Sequence, residues 1–248
     1  MSTQGKVGIV TGSGSGMGED AAKELAAKGV KVVIAEINEA NGKRVADEIR
    51  RGGGDAIFVK TDVSKSGDVQ NLVNKTLEVY KNIHIMIANA GVHGKITPLV
   101  DMPVEEWDKI ISIHLRGTFL CCKYVLPTMI KNNYGKIITF SSVGVKARKG
   151  NINYLSAKGG IESLTRVLAV EVGSHNINVN CIAPGFIMTP MWDELGGASG
   201  DFAKAVEPMI PLGRKGDPRD VSNVVCFLAS DESSYISGQV LDVNGALV

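Results

Sequence analysis

Cysteine is scarce, and what there is has no pattern. Cys121, Cys122, Cys181 and Cys226 include no C-x-x-C pair, and each sits in an apolar segment where a thiol behaves as a small hydrophobe. The four histidines, His84, His93, His114 and His175, form no pair at ligand spacing, so no catalytic metal is expected. Charge of one sign is also missing: the net charge is +1, with Lys and Arg interleaved among Asp and Glu along the chain. That balance excludes a nucleic-acid stripe and a polybasic membrane patch. No apolar run approaches the roughly 18 residues of a spanning helix, and strand-forming sequence starts at Lys6, which leaves no room for a signal peptide. A cytoplasmic protein handling small molecules is expected. There are no repeats beyond the strand–helix alternation, no low-complexity tract and no linker. The 248 residues, 44% hydrophobic and 21% charged, therefore read as one domain over 1–248.

What is present is a regular alternation. Short β-branched runs at Lys6–Val10, Val30–Ala35, Ala56–Lys60, Ile83–Ala88, Gly135–Phe140, Ile177–Ile182 and Gln239–Val243 are separated by helical periodicity. This predicts an α/β Rossmann fold, a doubly wound seven-stranded parallel sheet with helices on both faces. Ligands should gather at the carboxyl ends of the strands. The least regular stretch, 189–218, is rich in Gly, Pro and Met and reads as a substrate lid.

After the first strand, Thr11-Gly12-Ser13-Gly14-Ser15-Gly16-Met17-Gly18 runs straight into a helical pattern from Glu19. Strand, glycine turn and helix make a dinucleotide pyrophosphate cradle, because backbone without Cβ atoms lets phosphates approach N–H groups at a helix N-terminus. Gly12, Ser15, Gly16, Met17 and Gly18 are the expected contacts. Eighteen residues past Gly18, at the end of the second strand, Glu36 is placed to accept hydrogen bonds from both adenosine ribose hydroxyls. A 2′-phosphate there would bring a second anion within about 4 Å, costing roughly 1 kcal/mol in water and about 4 at an effective dielectric of 20. Neither Ser15 nor the adjoining Ile37 is basic, so NAD is expected rather than NADP.

Tyr154 and Lys158 stand at i and i+4 at the start of a strongly helical segment, so their side chains share one face. A phenol with a pKa near 10 is a poor base at pH 7, and lowering it about three units takes roughly 4 kcal/mol. A neighbouring ammonium together with the positive ring of an oxidised nicotinamide is a source of that stabilisation.

The T-G-x-x-x-G-x-G spacing of Gly12, Gly16 and Gly18, followed by Y-x-x-x-K, resembles the short-chain dehydrogenase/reductase family, and the resemblance runs from Lys6 to Gly245. It implies further cofactor contacts: Asp62 and Val63 at the adenine, Asn89, Ala90 and Gly91 after the fourth strand, and Tyr154 and Lys158 themselves. Pro184, Gly185, Ile187 and Thr189 are implied at the nicotinamide end. It also implies a serine that holds the substrate oxygen against Tyr154. Counting back from Tyr154 by the family's interval gives Ser141, whereas carrying the ungapped helix and strand forward gives Ser142. Ser142 is preferred, because a one-residue deletion is tolerated best in the connection 143–153.

One position departs from the family pattern. In Ile113-His114-Leu115-Arg116-Gly117 the catalytic asparagine is replaced by His114, which has three readings: a water holder, a structural helix residue, or a proton shuttle titrating near pH 6.5. Substrate contacts are expected from Ser142, Tyr154, His93, Met188, Met191 and Trp192, with Val92 a further candidate for the pocket wall. Lys146, Arg148 and Lys149 form a basic cluster that meets either solvent or an anionic substrate group. The expected activity is NAD-dependent interconversion of a secondary alcohol and a ketone. A 3-oxoacyl-acyl-carrier-protein reductase and a non-catalytic nucleotide-binding protein are the alternatives. Apolar residues on more than one face of the helices Glu105–Lys131 and Tyr154–Gly173, including Ile161, Leu164, Val167, Leu168 and Val170, predict a homotetramer, or failing that a dimer.

Overall fold

The computed structural model describes residues 3–146, 151–191 and 200–247, with the side chains of residues 202 and 203 excepted. Seven parallel strands form one sheet: β1 (Val7–Thr11), β2 (Lys31–Glu36), β3 (Ala56–Lys60), β4 (Ile85–Ala88), β5 (Gly135–Phe140), β6 (Ile177–Pro184) and β7 (Val240–Val243). Their order across the sheet is β3-β2-β1-β4-β5-β6-β7. The chain winds outward from β1 through β2 and β3, then returns to place β4 on the other side of β1. The gap between the loops leaving β1 and β4 is where such a sheet opens a crevice for ligands.

Strand periodicity divides the core in two. Val32 and Ile34 face α1 (Gly16–Ala27), α2 (Glu39–Arg51) and α8 (Pro218–Leu228), whereas Val33 and Ala35 face α3 (Ser66–Tyr80), α5 (Gly117–Lys131) and α6 (Ile152–Val172). Because both faces are covered, β1, β4, β5 and β6 are buried throughout; the polar residues this buries in β5 and β6 are hydrogen-bonded, Lys136 to Asn178, Thr139 to Thr165 and Asn180 to the Ile236 carbonyl. All four cysteines are buried and unpaired with one another, and burial pushes the Cys122 thiol up to about 12. Among the described residues no helix is long and apolar enough to cross a membrane.

Several element boundaries differ from the sequence reading: β1 and β2 each sit one residue later, β6 runs on to Pro184 and β7 starts at Val240. The fourth strand starts at Ile85, not Ile83. Helix α1 starts at Gly16, before Glu19, because the glycine turn itself supplies the first helical residues. The apolar stretch Glu105–Lys131 is not one helix: α4 (Val104–Ile111) passes into a π-turn at Ser112–Arg116 before α5 begins. A π-turn adds a residue to the winding and turns its side chains relative to a continuous helix. Here it carries His114 into the interior, 1% exposed. Within 189–218 lies a short helix, α7 (Asp201–Val206), and Val206 and Ile210 join Phe186 and Leu247 in a small third apolar cluster.

Candidate active site

The glycine turn fits a dinucleotide for reasons that its neighbours make explicit. Gly12 and Gly16 have φ of +62° and +57°, a region that side chains disfavour. A Cβ on Gly12 would lie 2.7 Å from Ala90 Cα, and one on Gly14 would lie 2.7 Å from Glu36 Cγ. Ser15 caps α1 without using its side chain, so the first-turn N–H groups are left to an anion. Asn89 braces the turn from β4, its Nδ2 donating to the carbonyls of Thr11 and Gly12 at 3.0 and 3.1 Å. Thr11 Oγ1 in turn accepts from the N–H groups of Asn89 and Ala90. Gly18, expected among the contacts, stands behind the turn instead: a Cβ there would meet the Gly12 carbonyl oxygen at 2.2 Å. Its smallness lets α1 close against β1.

At the end of β2 the Glu36 carboxylate accepts from Gly14 N–H and Asn38 N–H, each at 3.0 Å, which fixes it beside the turn with lone pairs remaining. Asp62 ends β3 and is held by Ser64, whose N–H and hydroxyl donate to it, which lowers the Asp62 pKa against the opposing effect of burial. Val63 is buried against Gly117.

From this end a cleft of about 480 Å³ runs to the start of α6, lined in succession by Gly12, Glu36, Asp62, Asn89, Ser142, Tyr154 and Lys158 and closed by Pro184, Ile187 and Thr189. Ser15, Gly16, Met17, Ile37, Val63, Ala90, Gly91, His93, His114, Gly185 and Met191 line it as well. The two serines face different ways. Ser142 faces the cleft beside Tyr154, where its side chain holds the phenol pKa down, and its oxygen accepts from Gly144 N–H at 3.2 Å. Ser141 turns back into α6, donating to Glu162 Oε1 at 2.8 Å. Lys158 is buried, with Nζ donating to the Phe140 carbonyl at 2.9 Å and lying 5.4 Å from the centre of the Tyr154 ring. Burial pushes the Tyr154 phenol up to about 12, opposed by Ser142, and burial lowers Lys158 to about 8. Lys158 by itself therefore does not bring the phenol down to neutral pH.

His114 approaches Tyr154 edge-on, ring centres 5.1 Å apart. Its Nε2 is 2.9 Å from the Val92 carbonyl and 3.2 Å from the Val92 N–H, while Nδ1 is buried without a partner. The ring needs Gly91, because a Cβ there would lie 2.5 Å from its Cε1.

The comparisons with known proteins agree with this geometry over the whole chain. A family model described as enoyl-(acyl carrier protein) reductase matches residues 12–247. The (2S)-[(R)-hydroxy(phenyl)methyl]succinyl-CoA dehydrogenase subunit of Thauera aromatica is 37% identical, covering 99% of this chain and 97% of its own. A 3-oxoacyl-[acyl-carrier-protein] reductase of Thermotoga maritima is 36% identical, covering 100% of both. Among solved structures, a 7α-hydroxysteroid dehydrogenase complexed with NADH and 7-oxo glycochenodeoxycholic acid superposes with a TM-score of 0.94 at 32% identity, covering 99% of this chain and 95% of that one. The chain belongs to the short-chain dehydrogenase/reductase family. It is an oxidoreductase of that type.

The substrate end of this short-chain dehydrogenase/reductase is only partly as the sequence reading had it. His93 stacks over Tyr154 at 6.4 Å, and Met191 lies on the rim. Met188, expected on the pocket wall, packs instead against Phe186, Val206, Ile210 and Leu247, because the bridge between Ile187 and Gly216 turns it away from the cleft. Trp192, Arg148 and Lys149 lie outside the described residues, and Lys146 is paired with Asp242. Ile96, Val143, Asn151 and Leu155 line the cleft without having been singled out. Ile96, Val143 and Asn151 lie outside the long helices and strands, with no periodicity to mark them, and Leu155 lies in the first turn of α6 beside Tyr154.

The shuttle reading of His114 required titration near pH 6.5. Burial and the nearby Lys158 charge lower it to about 3. With the folded pKa below the ordinary value, the group's contribution to stability is fully present above pH 6.5 and is lost as pH falls toward 3, because only the unfolded chain binds the proton there. The slope is at most about 1.4 kcal/mol per pH unit. In a comparison of Tm at pH 7 and pH 4.5, His114→Asn is expected to lose less than the wild type. Equal losses would contradict this assignment.

Proposed function

We propose that this oxidoreductase interconverts a secondary alcohol and a ketone with NAD as its hydride carrier and Tyr154 as acid and base. The observation that carries the reading is that Ser142, Tyr154 and Lys158, whose Nζ lies 5.4 Å from the centre of the Tyr154 ring, line one cleft with the glycine turn and Glu36. A nicotinamide bound along that cleft supplies the hydride chemistry and, when oxidised, a positive ring that favours the phenolate. The rest is done by the chain. Ser142 donates to the substrate oxygen and orients it toward Tyr154. The phenol oxygen takes the alcohol proton during oxidation and returns it during reduction. Lys158, still cationic at pH 7 with its pKa lowered to about 8, opposes the charge that develops on Tyr154. His114, neutral and tied to Val92, holds the strand end and the tyrosine in register and moves no proton of its own.

Glu36 supports NAD over NADP because a carboxylate fixed by two backbone N–H groups cannot withdraw from a 2′-phosphate. Val167 and Val170 stand 64% and 85% exposed on α6, which supports burial of that helix in a homotetramer, or failing that a dimer; Ile161, by contrast, belongs to the core. A second reading, reduction of a 3-oxoacyl group on an acyl carrier protein, is favoured by the named activity of the Thermotoga maritima relative. One assay separates them: initial rates with a panel of secondary alcohols and ketones, free and as acyl-carrier thioesters, using NADH and NADPH in parallel. NADH-linked turnover of free ketones is expected. Turnover restricted to carrier-bound substrates with NADPH would replace the first reading by the second.

A further inference from the structure

A strong base stands at the adenosine end of the cleft, although no basic residue neighbours Glu36 in sequence. Arg44, on α2, donates from Nη2 to the Gly14 carbonyl at 3.0 Å, and the N–H of the same glycine donates to Glu36. The guanidinium and the Glu36 carboxylate are thus held at the two ends of one residue. Gly14 must lack a side chain for this, since a Cβ would lie 2.7 Å from Glu36 and 2.9 Å from Asn41 on α2.

Both terminal nitrogens of the guanidinium are engaged by carboxylates. It makes two contacts to Glu19, at 2.6 and 2.9 Å, and one to Glu48 at 3.0 Å, and Lys23 bridges the same two carboxylates at 2.6 Å each. Glu19, Glu36 and Glu48 against Lys23 and Arg44 leave this rim with one net negative charge. An Arg is the side chain best matched to a phosphate, but here its fork is occupied by carboxylates.

We propose that Arg44 is a second determinant of cofactor specificity: a phosphate-binding base held in check by Glu19 and Glu48, so that the adenosine end takes a 2′-hydroxyl now and a 2′-phosphate once the carboxylates are neutralised. This rests on the assignment of Glu36 to the adenosine ribose. Removing Glu36 alone brings the rim to zero charge and leaves Arg44 engaged, which gives parity between the two cofactors. Removing Glu36 and Glu19 together gives a positive rim and releases the guanidinium from its two Glu19 contacts, leaving one carboxylate, Glu48, against it, which gives preference for the phosphorylated one.

The test is direct binding, by calorimetric titration of NADH and NADPH into wild type, Glu36→Ala, Glu36→Ala/Glu19→Gln, and that double variant with Arg44→Gln added. The expected sequence is preference for NADH, near parity, preference for NADPH by about tenfold, and return to parity. Glu48→Gln in place of Glu19→Gln offers a second route to the same release should the first variant fold poorly. A gain in NADPH affinity that survives Arg44→Gln, or no gain in either double variant, overturns the proposal. Preference of the wild type for NADPH would overturn the Glu36 assignment instead; the comparison with and without Arg44 would still decide Arg44.

Discussion

Tyr154→Phe is expected to lower kcat by about 10²- to 10⁴-fold, the range removed with a general acid–base group, while binding of NADH stays unchanged. The ring remains to stack under His93 and to meet the edge of His114; only the hydroxyl beside Ser142 is lost. The serines add an internal comparison. Ser142→Ala removes the side chain that holds the Tyr154 pKa down and should lower turnover by a similar mechanism. Ser141→Ala removes a bond to Glu162 and should cost stability of about 1 kcal/mol with turnover largely kept. Stopped assays at saturating cofactor measure all three. Turnover that survives Tyr154→Phe would end the proposed mechanism, and a larger loss from Ser141→Ala than from Ser142→Ala would exchange the roles of the two serines.

Gly18→Ala is expected to be among the most damaging alanine substitutions at the described glycines. Its Cβ would sit 2.2 Å from the Gly12 carbonyl oxygen and 2.5 Å from Asn89 Nδ2, both parts of the brace under the glycine turn. Neither neighbour can swing aside, because Asn89 is bonded to β1 and Gly12 is held at positive φ. Forcing a methyl into such a contact costs typically about 1–3 kcal/mol, and the distorted turn should lose at least about tenfold in NADH affinity. Gly67→Ala is the matched control. It lies in the first turn of α3 with open space at its Cβ, where alanine should be neutral or stabilising by up to about 1 kcal/mol. Thermal melts with and without NADH check both. Wild-type NADH affinity in Gly18→Ala would show that the turn is not the cofactor cradle.

Legibility of the chain followed the reach of each interaction. Strand-forming runs print themselves in the sequence, so the partly buried edge strand β3 and the fully buried β5 were both readable to the residue. The site was readable wherever chemistry depends on neighbours in sequence, as with the glycine turn and the Tyr154–Lys158 pair. Where it depends on distant packing, sequence is silent. Arg44 is eight residues from Glu36 and thirty from Gly14, yet both side chains bond to the backbone of that one glycine. The π-turn at Ser112–Arg116 leaves no mark in composition, because its Ser-Ile-His-Leu-Arg mixes polar and apolar residues as the α-helices around it do. Met188 has the right chemistry for a pocket wall and faces away only because a single bridge between Ile187 and Gly216 sets its rotation.

The strand order β3-β2-β1-β4-β5-β6-β7 has a consequence for how such a protein changes over time. Everything assigned to the adenosine end, from Gly12 to Asp62, is encoded in the first quarter of the chain and rests on β1, β2 and β3. Everything assigned to the substrate, from His93 to Met191, is encoded later and rests on β4, β5 and β6. The two meet along the seam between β1 and β4, where Asn89 and Thr11 join them, and again where Val63 packs on Gly117 and Arg116 donates to the Ser64 carbonyl. Selection can therefore exchange the carrier and the compound it acts on as separate traits, each by a few substitutions on its own half, provided that these junctions are left intact.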